Sequence, residues 1–283
     1  MMRTIAVIGT GTMGRGIAQV SALGGYDVIV YDVFEQALAN AVTLIEASID
    51  KGVMRGKLDA QAANLAKNRF HVTHSLDDMA QADLIIEAIP EDLKLKHDLF
   101  SRLDTVAPKH TILASNTSSL SINSLAGSTH RGDRFLGLHF FNPPHIMKLV
   151  EVITCDDTSA ETVTAAKEYV ERIGKTAVFC KDTPAFIVNR VARPFYGEAF
   201  RMLGEGMADV ATIDRLIKSI GFPMGPFELI DLIGCDVNLS VTQSVYDAYF
   251  QEPKYRPHPI QRRMVESCRL GRKTGRGFYD YHK

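Results

Sequence analysis

The chain has 283 residues, enough for about two domains of ordinary size, each with its own core. Hydrophobic residues make up 46% and charged residues 23%, which excludes a disordered, collagen-like or low-complexity chain. Thirty-two Lys and Arg against 33 Asp and Glu leave a net charge of -1, so no global field draws the chain to nucleic acid or to an anionic membrane. Any anion-binding patch must be local. Cys155, Cys180, Cys235 and Cys268 lack the close C-x-x-C pairs of a zinc or thioredoxin-like site, and we read them as reduced thiols in a cytoplasmic protein with no metal centre. The apolar run at 5–8 stops at Gly9, too short for a signal peptide, and no stretch approaches the roughly 18 apolar residues of a membrane span.

In chain order, short β-branched runs at 4–8, 28–31, 70–73, 84–88, 111–115 and 135–139 read as strands, most of them separated by amphipathic stretches. Parallel strands need crossovers, and crossovers place helices on both faces. The fold class is therefore α/β, a doubly wound, mostly parallel Rossmann-type sheet. Between the second and third strands, Leu38, Val42, Ile45 and Ile49 step by three and four, so the stretch 34–68 is a long helix followed by a hairpin. Runs at 150–153 and 176–180 give two final strands flanking a helix over 159–173 that Gly174 stops. From Phe186 onward only helical periodicity remains. This divides the chain into a Rossmann-type domain, 1–185, and an all-helical domain, 186–283, on the change of period alone.

The first strand runs directly into Gly9-Thr10-Gly11-Thr12-Met13-Gly14 and then a helical stretch. In this order the first glycine permits the tight turn, the second lets the backbone approach a pyrophosphate, and the third lets helix and strand pack closely. Asp32 follows the second strand, eighteen residues after Gly14. A carboxylate there bonds the adenosine ribose hydroxyls and repels a 2′-phosphate, which selects NAD over NADP. The alternative role for Asp32 is the N-cap of the helix that begins near Phe34.

Hydride removal from an alcohol leaves a hydroxyl proton that needs a base. Of nine histidines, His71, His74, His97, His110, His130, His258 and His282 sit among polar or charged neighbours, whereas His139 ends an apolar strand at the sheet's carboxyl edge, where doubly wound folds place ligands. Twelve residues on, Glu151 interrupts an apolar run. If the loop 142–147 folds back, Glu151 accepts the other imidazole N–H and fixes its tautomer; a structural ion pair with Lys148 explains the same acid. Asn116-Thr117-Ser118-Ser119 offers donors at another carboxyl edge, although an N-capping turn is the simpler account of that composition.

Ser115-Asn116-Thr117-Ser118-Ser119-Leu120, His139-Phe140-Phe141-Asn142-Pro143, the stretch from Met147 to Ile153, Ile187-Val188-Asn189-Arg190, Pro223-Met224-Gly225-Pro226-Phe227-Glu228-Leu229 and the stretch from Gly271 to Tyr279 together resemble the L-3-hydroxyacyl-CoA dehydrogenase family over essentially the whole chain. The segment Lys254-Tyr255-Arg256-Pro257-His258 is similar to the bacterial 3-hydroxybutyryl-CoA dehydrogenases in particular. The resemblance implies His139 as general acid/base oriented by Glu151, with Ser118 and Asn189 on the substrate's 3-oxygen. It implies NAD contacts from Gly9, Gly11, Thr12, Met13, Gly14, Asp32, Glu91, Lys96, Asn116, Ser118 and Asn142. It further implies that the helical excursion forms an arm over CoA, where Ser48, Lys51 and Arg55 meet its phosphates, and that the helical domain carries a homodimer interface. The apolar positions Ile230, Leu232 and Ile233 serve either that interface or the internal core.

The chain departs from the family pattern twice. Pro184-Ala185-Phe186 has Ala where Gly is usual, so Ala185 must accept the backbone angle of that junction, and Pro144-His145-Ile146 places a second imidazole near the site, either tuning its pH dependence or solvated. The implied reaction interconverts a short (3S)-3-hydroxyacyl-CoA and the 3-ketoacyl-CoA with NAD. A gulonate-type sugar-acid dehydrogenase and a non-catalytic crystallin-like protein share the fold. The basic tail, with nine Lys or Arg from Lys254 onward, has no nucleic-acid motif beside it.

Overall fold

A computed structural model describes residues 2–282. The chain divides into two compact units, the first ending at Thr183 and the second starting at Pro184. The first is built on eight strands: β1 (Thr4–Ile8), β2 (Asp27–Tyr31), β3 (Phe70–Thr73), β4 (Leu84–Glu87), β5 (Ile112–Ser115), β6 (Phe135–Phe140), β7 (Leu149–Thr154) and β8 (Thr176–Lys181). They form one sheet in the order β3-β2-β1-β4-β5-β6-β7-β8, parallel except where β6 meets β7. Strands such as β1 and β4 are apolar at nearly every position because helices cover both faces, and Ile5, Val7, Leu84 and Ile86 are fully buried. The strand order reverses between β1 and β4, the crevice where doubly wound sheets take their ligands.

The covering helices are α1 (Thr12–Leu23), α2 (Glu35–Met54), α3 (Ala60–Lys67), α4 (Leu93–Val106), α5 (Ile122–Ala126) and α6 (Ala160–Arg172). Leu38, Ile45 and Ile49 of α2 are buried, as their spacing requires, and the hairpin after it is helical, with Asp59 capping α3 through the Ala62 amide. Helix α6 starts at the Ser159 cap and ends before Gly174, whose φ of 73° only glycine adopts easily. All four cysteines are free. Among the described residues no helix is long and apolar enough to cross a membrane.

The second unit consists of α7 (Val188–Gly204), α8 (Val210–Ser219), α9 (Pro226–Ile233), α10 (Cys235–Ala248) and α11 (Pro259–Glu266) around a core that includes Phe200, Ile213, Phe227 and Ile230. Two buried aspartates organise its polar joints. Asp214 accepts from the Phe227 and Glu228 amides and from the Tyr279 hydroxyl, while Asp231 accepts from the Phe278 and Tyr279 amides and the Tyr281 hydroxyl. The motifs around Pro226 and Gly277 are thus parts of one scaffold: a Cβ on Gly277 would stand 2.1 Å from an Asp231 oxygen. The three apolar positions on α9 divide, with Ile230 in the core and Leu232 and Ile233 exposed.

Candidate active site

One edge of the sheet gathers the chemistry. The turn after β1, Asp32 after β2, Glu87 at the end of β4, Asn116 after β5 and His139 near the end of β6 all lie at carboxyl ends of mutually parallel strands. Because β7 runs the other way, its early residue Glu151 lies at that same edge.

The glycine turn fits a dinucleotide. Gly9 has a φ of +99° and its amide donates to the Tyr31 carbonyl, so the turn is locked to β2. A Cβ on Gly14 would lie 1.7 Å from the Gly9 carbonyl oxygen, which ties the start of α1 to the strand end. A Cβ on Gly11 would meet nothing within 4 Å: the helix N-terminus, with Thr12 and Met13 in its first turn, opens onto free space where a pyrophosphate would sit. Asp32 accepts from the Thr10 amide and hydroxyl, both at 2.7 Å, and from the Phe34 amide. Burial works against its charge, but these hydrogen bonds prevail and hold the carboxyl below its ordinary range, ionised at neutral pH. The N-cap role is not realised; the cap position of α2 is Phe34, with no side-chain bond.

His139 and Glu151 form the second element. Both are buried, at 6% and 0% exposure, and His139 Nδ1–H donates to Glu151 Oε2 at 2.6 Å. Lys148 is exposed. The loop 142–147 does fold back, and Lys175 Nζ fastens it by donating to the Pro144 and Met147 carbonyls. With Nδ1 committed to the carboxylate, proton exchange with a ligand falls to Nε2.

The third element was hidden in sequence. Glu87, fully buried, accepts from Lys96 Nζ at 2.5 Å, from Ser115 Oγ at 2.6 Å and from the Ile89 amide. Lys96, 1% exposed, also reaches Glu91 at 3.3 Å, and Glu91 in turn accepts from the Thr117 and Ser119 hydroxyls and the Ser118 amide. Burial raises the Glu87 carboxyl above its ordinary range, with Lys96, Ser115 and Ile89 partly offsetting it. For Glu91 burial also opposes the charge, but Lys96 and the three donors outweigh it and hold the carboxyl below that range. This network shapes the 116–120 loop together with the capping turn that its composition predicts. Ser121 caps α5, Thr117 Oγ1 accepts from the Leu120 amide, and Asn116 Oδ1 accepts from the Phe140 amide, stitching β5 to β6. The Ser118 hydroxyl makes no hydrogen bond among the described residues, while its amide is held.

Ser48, Lys51 and Arg55 share one face of α2 and its C-cap, half-buried, exposed and exposed, and their side chains join no hydrogen bond or ion pair among the described residues. Asn142 is exposed and follows β6; Asn189 is half-buried near the start of α7 in the second unit. His145 is exposed; partial desolvation of its ring by the neighbouring chain, then the charges of Lys175 and Lys57, lower its pKa, so it is neutral near pH 7. The missed residues are Thr10, Glu87, Ser115 and Lys175. Only Glu87 carried a signal, an acid closing the apolar run 84–88.

A dinucleotide-binding turn, an ionised carboxylate after the second strand and a buried imidazole–carboxylate pair on one sheet edge define a nicotinamide-dependent dehydrogenase site. Comparison with known proteins narrows the class. The family model for the 3-hydroxyacyl-CoA dehydrogenase NAD binding domain matches residues 4–183, and that for the 3-hydroxyacyl-CoA dehydrogenase C-terminal domain matches 186–281. The 3-hydroxybutyryl-CoA dehydrogenase of Bradyrhizobium diazoefficiens is 42% identical over 99% of this chain and 96% of its own length. The 3-hydroxyadipyl-CoA dehydrogenase of Escherichia coli is 46% identical over 99% of this chain, which spans 59% of that longer protein. A crystal structure of (S)-3-hydroxybutyryl-CoA dehydrogenase from Ralstonia eutropha superposes with a TM-score of 0.95 at 41% identity, over 100% of both chains. The chain belongs to the 3-hydroxyacyl-CoA dehydrogenase family, and its first unit is that family's NAD-binding domain.

Proposed function

We propose that the protein interconverts short-chain (3S)-3-hydroxyacyl-CoA, such as 3-hydroxybutyryl-CoA, and the corresponding 3-ketoacyl-CoA with NAD(H). The observation that carries this reading is the buried His139–Glu151 pair at the sheet edge that also bears the dinucleotide turn. When bound, NAD supplies the hydride acceptor, and Gly9, Gly11, Thr12, Met13, Gly14 and Asp32 are the residues to hold it, with Glu91, Lys96, Asn116, Ser118 and Asn142 toward the nicotinamide end.

In oxidation His139 takes the 3-hydroxyl proton at Nε2, and Glu151 stabilises the imidazolium through Nδ1–H. In reduction the same Nε2 returns the proton to the 3-oxygen. Ser118 and Asn189 donate to that oxygen as negative charge develops on it. Ser48, Lys51 and Arg55 are the candidates for the CoA phosphates. We read residues 1–185 as the cofactor domain and 186–283 as a helical domain that forms a homodimer, a reading supported by the exposed Leu232, Ile233 and Val237. A cytoplasmic location agrees with four free cysteines.

The test is NADH oxidation by purified protein with acetoacetyl-CoA, beside NADPH and beside gulonate with NAD. Fast turnover of acetoacetyl-CoA with NADH alone supports the reading. Turnover of gulonate only, or of neither substrate, overturns it.

A further inference from the structure

The loop that joins β6 to β7 is held by a lysine that the reaction above does not use. The hairpin itself needs no such help, because five register pairs, from Leu136 with Thr154 to Phe140 with Val150, already close it. The lean of the loop is set separately. Lys175, which follows Gly174 between α6 and β8, donates from Nζ to the Pro144 carbonyl at 2.5 Å and to the Met147 carbonyl at 2.6 Å. Among the described residues these are the only hydrogen bonds between a side chain and residues 142–147, and Lys175 joins no ion pair. A half-buried ammonium committed to two carbonyls, with no carboxylate beside it, costs more than an exposed one, so its position is informative. On the opposite side Pro144 is buried against α1: a Cβ on Gly16 would stand 2.8 Å from the Pro144 ring. The loop is thus pinched between Lys175 and Gly16, both in the first unit.

We propose, resting on the NAD contact given to Asn142 above, that Lys175 is a positioning residue for the cofactor: by drawing the loop against α1 it fixes Asn142, two residues before Pro144, for the nicotinamide half of NAD. Without the two ammonium bonds an exposed loop of this kind samples many positions, and Asn142 loses its fixed place. The effect does not run through His139, whose ring is held by the pairing of β6 with β7 and by Glu151. It does not run through the adenosine half either. That half falls to Asp32 at the end of β2, which is aimed by Thr10 and Phe34 and shares no hydrogen bond with the loop. Loosening the loop therefore costs contacts to the nicotinamide half alone.

The experiment titrates the full chain calorimetrically with NADH and with ADP-ribose, which lacks the nicotinamide. Lys175→Met and, from the opposite side, Gly16→Ala, whose methyl pushes the Pro144 ring away, should each raise the Kd for NADH about tenfold and leave that for ADP-ribose within about twofold. In an Asn142→Ala background Lys175→Met should add less than about twofold, since a residue acting through Asn142 then has nothing left to position. Equal weakening of both ligands, weakening of neither, or full additivity in the double variant overturns the proposal, whatever the acetoacetyl-CoA turnover of the wild type, which tests the proposed function by itself. A wild type that binds neither ligand overturns this inference and the NAD assignment together. Should Lys175→Met fail to fold by circular dichroism, Gly16→Ala decides.

Discussion

His139 and Glu151 are direct register partners across the antiparallel pairing of β6 with β7, which sets Nδ1 2.6 Å from Oε2 with both side chains buried. The geometry of the pair is therefore a property of the hairpin and not of a mobile loop. His139→Ala should lower kcat by about 10²–10⁴, the usual contribution of a positioned acid/base, with the Kd for NADH little changed. Glu151→Gln keeps the shape but not the charge that stabilises the imidazolium, so kcat should fall by about tenfold to a thousandfold, with a smaller change in KM. Steady-state kinetics and a fluorescence titration with NADH read both; wild-type turnover in either variant removes the base assignment.

The glycine turn separates folding from binding. Gly14→Ala drives a methyl into the Gly9 carbonyl, so the variant should fold poorly or lose stability by several kcal/mol. Gly11→Ala adds its methyl to open space at an ordinary φ of -61°, so the fold should survive with its Tm within a few degrees. That methyl occupies the approach path of a pyrophosphate, and NADH affinity should fall about tenfold or more. Gly11→Ala binding NADH like the wild type would place the cofactor elsewhere.

Asp32 is ionised and aimed by Thr10 and Phe34, so its charge faces whatever occupies the ribose site. Two like charges a few ångströms apart near a surface repel by a few kcal/mol at most. Asp32→Ala should therefore weaken NADH and strengthen NADPH relative to it, shrinking the ratio of their Kd values by about tenfold or more. An unchanged ratio in paired titrations would mean that another group enforces the choice.

The sheet was legible because its strands are apolar at nearly every position and are punctuated by glycines and caps; the structure moves their ends by one residue at most. The pairing of His139 with Glu151 was legible as a possibility, since it needed only the loop 142–147 to turn back. Lys175, which holds that loop, lies thirty residues away and had no local signature. Likewise, nothing local joined Lys96 to Glu87, because an acid at the end of β4 becomes its partner only once β4, β5 and α4 are packed. Ala185 shows the reverse case: Ala in place of the usual Gly raised the question of its backbone, and its φ is 69°.

The Glu87–Lys96 pair makes a thermodynamic prediction with a defined sign. Both groups are at least 99% buried, so Lys96→Met leaves Glu87 without its counter-charge, at a cost of about 3–5 kcal/mol. The double variant Glu87→Gln with Lys96→Met removes the stranded charge and should recover most of that loss. Burial already raises the Glu87 carboxyl above its ordinary 4.5, and removing Lys96 raises it further. A carboxyl whose folded-state pKa lies above its unfolded value stabilises the fold fully at pH below the unfolded value, and that stability is lost as pH rises through the folded value. Relative to the wild type, the Lys96→Met protein should accordingly be least impaired below about pH 4.5 and lose stability progressively as pH rises toward neutrality, while the double variant, which carries no carboxyl at this position, should not show that loss. Urea unfolding at several pH values reads this directly. Losses that simply add in the double variant, or a Lys96→Met deficit independent of pH, would show that the two charges are not coupled.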